Sequence, residues 1–146
     1  MGISKVFHND LFAALCGEKL GEGQYRHVYA HRSRPDLVVK IEQGARSWSN
    51  IEEWNVWREA QDFPKLTDWF APCEWISGCG SVLLQKRTSP VRDDELPKQL
   101  PAFFCDLKRD NFGMLNGKFV CHDYGNNRLY LEGFKTKLSN KVESWT

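Results

Sequence analysis

The sequence predicts an α+β fold, in which an antiparallel sheet carries one packed helix and a smaller part built on a hairpin follows. Three observations predict it. Residues 36–41 (DLVVKI) form a compact β-branched run, and a glycine turn between two strand-like pieces precedes them. Residues 49–61 (SNIEEWNVWREAQ) space their apolar side chains as a helix does. Asn116 and Gly117, set between GML and KFVC, are a strong two-residue hairpin signal.

The elements follow in order. Residues 7–16 (FHNDLFAALC) read as a short helix, with Asn9 or Asp10 as its cap. Strand character starts at Lys19 and Leu20, breaks at a glycine turn, and resumes at Val28, Tyr29 and Ala30 before the 36–41 run. In the helix over 49–61, Ser49 or Asn50 supplies the cap and Glu52 and Glu53 suit the positive end of the helix dipole. Ile51, Trp54, Trp57 and Ala60 spread over two adjoining faces, and Trp48, Trp54 and Trp57 are expected in the core or at an interface. Trp75 and Ile76 pair with residues 81–85 (SVLLQ) around an SGCG turn. Pro90, Pro97 and Pro101 limit the next segment to a turn or two of helix. After Gly125 the chain is polar and mixed, with Leu129, Tyr130, Leu131 and Phe134 as apolar content.

Composition narrows the function classes. The 146 residues amount to one ordinary domain, and a hydrophobic fraction of 41% excludes disorder of the whole chain. With 20 Lys and Arg against 19 Asp and Glu, the chain lacks the basic surplus of a dedicated nucleic-acid binder. Five cysteines without a CxxC pair fit reduced, mostly buried thiols better than a disulfide framework or a zinc site. Cys121 and His122 are adjacent and cannot present tetrahedral ligands, so burial is their expected role. No signal-peptide core, myristoylation pattern or apolar run of about 18 residues is present, and the expected location is cytoplasmic, with no membrane contact. Six Trp, nine Phe and four Tyr imply either dense packing or aromatic surface kept for a partner.

Four pieces carry chemistry. The turn at 20–25 (LGEGQY) can lay backbone N–H groups over phosphates. Lys40 ends the Val-Val run, and Glu53 on the following helix offers it an ion-pair partner. Residues 106–111 read DLKRDN, and DYG follows at 123–125 beyond the Asn116–Gly117 hairpin. Acidic and amide oxygens at the two ends of one hairpin can meet at a hard cation such as Mg²⁺.

DLKRDN resembles the catalytic loop of protein kinases, and DYG is similar to their magnesium-binding D-F-G turn. With the glycine turn and the Val-Val-Lys strand in the same order, residues 18–125 resemble the protein-kinase-like superfamily, in particular compact serine/threonine kinase-like proteins of bacterial or phage type. The resemblance implies one truncated protein-kinase-like domain over 1–146. An N-lobe-like sheet and helix would span about 18–87, and a strongly reduced C-lobe over 88–146 would carry the catalytic hairpin. It implies ATP and Mg²⁺ as cofactors. Gly21 and Gly23 would cover the phosphates; Lys40 would hold them and pair with Glu53, with Glu52 as the fallback. Lys86, Arg87 and Thr88 would form the adenine hinge. Asp106 would act as catalytic base, Lys108 would steady the γ-phosphate, and Asn111 and Asp123 would ligate the metal.

Departures from the family pattern shape the remaining expectations. Arg26 replaces the third glycine of the turn, and Phe104 and Cys105 stand where kinases have His-Arg. No A-P-E-like segment follows Tyr124, and the span from Pro90 to Asp106 has no room for two supporting helices. Phe103, Phe104, Phe134 and Trp145 are therefore expected to pack against another subunit, making a homo-oligomer. The resemblance implies an ATP- and Mg²⁺-dependent phosphotransferase acting on a protein. The alternative is a pseudokinase-like binding module that inhibits or regulates a partner protein, for instance one of a bacterial host.

Overall fold

The computed structural model describes residues 2, 4–44, 47–125 and 145, together with the backbone of 138–141. The elements run α1 (Lys5–Leu15), β1 (Cys16–Glu22), β2 (Arg26–His31), β3 (Leu37–Glu42), α2 (Ser49–Ala60), α3 (Pro64–Thr67), β4 (Cys73–Ile76) and β5 (Val82–Lys86). They continue with β6 (Gln99–Pro101), β7 (Phe112–Leu115), β8 (Lys118–Cys121) and β9 (Leu138–Lys141), with single 3₁₀ turns at Asp93–Glu95 and Arg109–Asn111. The fold is α+β. Its main sheet has five antiparallel strands in the order β1-β2-β3-β5-β4, and β7-β8 and β6-β9 form two small ladders.

β3 is the central strand, and its apolar run follows from that position. Leu37, Val38, Val39 and Lys40 are all buried, because strands flank β3 on both sides and both sheet faces are covered there. Alternation puts Val38 and Lys40 on one face, opposite Gln85 and Leu83 of β5. Helix α2 lies over that face. Its inward side chains are Asn50, Glu53, Val56 and Ala60, while Trp54 and Trp57 flank them half-buried and Trp48 is exposed.

Two caps differ from expectation. α1 starts at Lys5 because the Ser4 hydroxyl accepts the Phe7 N–H at 3.1 Å, which leaves Asn9 and Asp10 inside the helix. At α2 neither Ser49 nor Asn50 caps. Trp48 takes the preceding left-handed position (φ 61°), and Glu42 of β3 accepts the Asn50 backbone N–H at 2.8 Å. A distant carboxylate serves the positive end of the helix.

The second part of the chain packs beneath α2 and the sheet through aromatic rings. Phe70 lies 4.6 Å from Tyr124, 5.8 Å from Phe103 and 5.7 Å from Phe104, centroid to centroid. Phe103 and Phe104 are 0% and 4% exposed, so the expectation that they meet another subunit is corrected. They fill this chain's own core, because the segment after β6 tucks them under Phe70. Each buried phenylalanine side chain contributes about 1.5–3 kcal/mol. Trp145 likewise packs edge-on against Phe112 and Phe119, at 5.3 and 5.7 Å. Phe134 lies outside the described residues. Cys16, Cys73 and Cys121 are buried thiols, and Cys79 and Cys105 are exposed ones.

Candidate functional site

The site begins with a lysine that strand alternation forces inward. Lys40 is 3% exposed, on the face of β3 that meets α2, and its Nζ lies 2.5 Å from Glu53 Oε1. Glu52, the fallback partner, is exposed on another side of the helix. Glu53 is wholly buried and its carboxylate receives four donors. Oε1 accepts from Lys40 and from Gln85 Nε2 at 3.0 Å; Oε2 accepts from Arg26 at 2.7 Å and from the Tyr124 N–H at 3.1 Å. Burial pushes this carboxyl up, but the charges and donated bonds of Arg26 and Lys40 outweigh it and hold the pKa at about 2. A buried charge pair is tolerable only with such saturation. Gln85 keeps one buried oxygen, Oε1, without a hydrogen-bond partner among the described residues.

The same cluster holds residues 122–125 in place. Lys40 Nζ also donates to the His122 carbonyl, and Arg26 donates to Asp123 Oδ1 at 2.7 Å. Tyr124 is buried, its hydroxyl donating to Ala71 O at 2.9 Å and meeting Cys73 Sγ at 3.0 Å. Gly125 backs onto the helix start, where a Cβ would stand 3.1 Å from the Ser49 carbonyl oxygen. Residues 122–125, which contain the Asp-Tyr-Gly turn, are thereby fixed to the sheet and α2 at four successive positions.

Asn111 and Asp123 meet at one end of the β7-β8 hairpin. The His122 and Asp123 N–H groups donate to Asn111 O at 2.9 and 3.3 Å. Asn111 Nδ2 donates in turn to Asp106 O at 3.1 Å, so the DLKRDN loop is tied to the same point. The Asp123 side chain is half exposed and that of Asp106 about a third exposed, whereas Lys108 reaches into solvent with Nζ 4.0 Å from Asp106 Oδ1. Asn111 and Asp123 are joined through their backbones, and an amide oxygen and a carboxylate are the donor types taken by a hard cation that keeps its waters and needs few protein oxygens. Among the described residues no group of three His, Cys, Asp or Glu forms a metal cage.

The other expected residues stand at the edges. Gly21 and Gly23 are exposed, and the Gly23 N–H closes the turn on Arg26 O at 2.9 Å. At the expected hinge, the Lys86 and Arg87 N–H groups donate to Pro72 O and Asp36 O, both at 2.8 Å. Lys86 Nζ pairs with Asp36 and Glu74, and Thr88 Oγ1 meets His122 Nδ1 at 2.7 Å. His122 is half-buried; burial first, and then the Lys40 charge, pull its imidazole below the usual histidine range.

Sequence reasoning missed how much Arg26 does. It is 8% exposed, and beyond its two carboxylates it donates to Asn50 Oδ1 at 3.1 Å. Burial pulls its pKa down, but Glu53 and Asp123 raise it above the normal arginine value. The available signal was alternation: Arg26 is two residues from Val28, which pairs with Lys40, so all three share the α2 face. Asn50 and Gln85 had no such signal. A groove of about 740 Å³ between α2 and β4, lined by Trp54, Trp57, Asp62 and Glu74 among others, includes none of the expected site residues. Neither a scan against protein-family models nor a search of curated proteins finds a match to this chain.

Proposed function

We propose that the chain is an ATP- and Mg²⁺-dependent phosphotransferase resembling a minimal serine/threonine protein kinase. The observation that carries the reading is the buried Lys40–Glu53 pair docked directly on the Asp-Tyr-Gly turn. In this reading β1 to β5 with α2 correspond to the kinase N-lobe, and residues 88–146 to a reduced C-lobe. Lys40, anchored by Glu53, has a fixed ammonium to offer phosphate oxygens. Asp106 is exposed enough to meet an acceptor hydroxyl and take up its proton, and Lys108 brings a mobile positive charge to the transferred group. Asn111 and Asp123 would hold Mg²⁺, which when bound neutralises phosphate charge. Phosphoryl transfer depends mostly on positioning and charge neutralisation, so these few groups are chemically sufficient.

Two measurements test the reading. Mg-ATP should raise the melting temperature by mass action, and Lys40→Ala should abolish the rise. Label from γ-phosphate-labelled ATP should reach an acceptor protein or the chain itself, and Asp106→Asn should cut the transfer by about a hundredfold or more. Equal labelling by wild type and Asp106→Asn sinks the catalytic claim.

Two observations favour a second reading. Arg26 already occupies Asp123, and the Lys86 and Arg87 N–H groups already have backbone acceptors. A pseudokinase-like module that binds and regulates a partner protein needs neither free. A melting shift with Mg-ATP, coupled to no label transfer under any condition, selects it.

A further inference from the structure

Arg26 is the part of the cluster that kinase chemistry leaves without a task. It opens β2 three residues after Gly23, yet its guanidinium lies inside the molecule. One nitrogen, Nη2, stands 2.7 Å from both Glu53 Oε2 and Asp123 Oδ1, and Nη1 reaches Asn50 Oδ1. Asn50 is itself immobilised, because its amide donates to Lys40 O and Gly80 O at 3.1 and 3.0 Å. The guanidinium is therefore gripped from the α2 side and presented to Asp123.

The charges of the cluster balance without any added ion. Lys40 and Arg26 face Glu53 and Asp123, two cations against two carboxylates. Glu53 has four donors and needs no further cation. The Asp123 side chain is half exposed, and its Oδ1 is already held by Arg26. A divalent cation arriving there meets a carboxylate already neutralised and a fixed positive charge within hydrogen-bond distance of it. That charge is permanent, since arginine does not lose its proton in proteins.

We propose that Arg26 is the resident counter-ion of Asp123, and that a divalent cation binds Asp123 only by displacing the guanidinium. Arg26 thereby sets the metal affinity of the site. The inference deepens the phosphotransferase reading and rests on it for the use made of the metal. It differs from the kinase pattern because the glycine replaced by Arg26 has no side chain to compete.

The probe is Mn²⁺ alone, titrated into the full chain with the free ion counted by electron paramagnetic resonance. Arg26→Gln, which keeps donors but no charge, should bind Mn²⁺ at least about fivefold tighter than wild type. Asp123→Asn should abolish that binding in either background. If circular dichroism finds Arg26→Gln unfolded, Arg26→Lys replaces it, since one ammonium cannot span Asn50, Glu53 and Asp123 together; its affinity should also rise. Equal Mn²⁺ affinity in wild type and the folded variant overturns the proposal, as does binding that survives Asp123→Asn. The Mg-ATP melting shift and its loss in Lys40→Ala judge the nucleotide reading separately. A shift that persists with unchanged Mn²⁺ affinity removes Arg26's role alone, and no shift with a tighter Mn²⁺ affinity in Arg26→Gln removes the nucleotide reading alone.

Discussion

Glu53 gathers a lysine, an arginine and a glutamine from three strands and a backbone amide from 71 positions further on, onto two oxygens. Its carboxyl titrates near 2 when folded and near 4.5 when free, a depressed folded value. Such a group adds stability above the free value and loses it as pH falls. Unfolding free energy is therefore expected to drop between about pH 4.5 and pH 2. Urea midpoints across that window should show the drop in wild type and a flatter profile in Glu53→Gln. At neutral pH, Glu53→Gln leaves the buried Lys40 without a carboxylate and Arg26 with Asp123 alone, and should cost about 3–5 kcal/mol. The Lys40–Glu53 pair was legible in the sequence because a strand end and a helix face each have a short-range pattern. The roles of Asn50 and Gln85 were not, since hydrogen bonds across 30 or more residues, such as Asn50 to Gly80 and Gln85 to Glu53, leave no local trace.

At the scale of elements, the β7-β8 hairpin shows how far local chemistry reaches. Asn116 and Gly117 both have positive φ, 52° and 77°, the mirror-image turn that matches strand twist. Gly117→Ala places a side chain where that backbone tolerates it poorly and should lower stability by about 1 kcal/mol, read as a shifted denaturant midpoint. Because Asn111 and Asp123 leave the two strands at the same end, the variant should also loosen the candidate metal position. The main strands, α2 and both hairpins could be read from alternation, helical spacing and turn residues. The β6-β9 pairing could not, because Leu100 and Asn140 meet only after the chain between them has returned. The α2 cap was misread for a similar reason: Glu42 acts from the end of a strand.

For the whole molecule, the aromatic content has an internal use. Phe70, Phe103, Phe104, Phe112 and Tyr124 form one continuous cluster beneath the site. Phe103→Ala should cost about 3–5 kcal/mol in chemical denaturation, because the ring is fully enclosed and a cavity would remain. If Phe103 instead served a subunit contact, the loss would depend on protein concentration. The α+β class was legible, since hydrophobic periodicity and turn residues mark the strands and the helix. The sequence misassigned the aromatic segment around Phe103, because counting rings does not reveal which surface they cover.

Strand order has a consequence in time. β1, β2 and β3 pair as sequence neighbours, as do β4 and β5, so most of the sheet closes through short loops. The Arg26–Asp123 contact spans 97 residues and the Glu53–Tyr124 contact 71. Along a growing chain, Arg26, Lys40 and Glu53 are in place well before Asp123 exists. The candidate site thus closes through contacts of far higher sequence separation than the sheet that carries it.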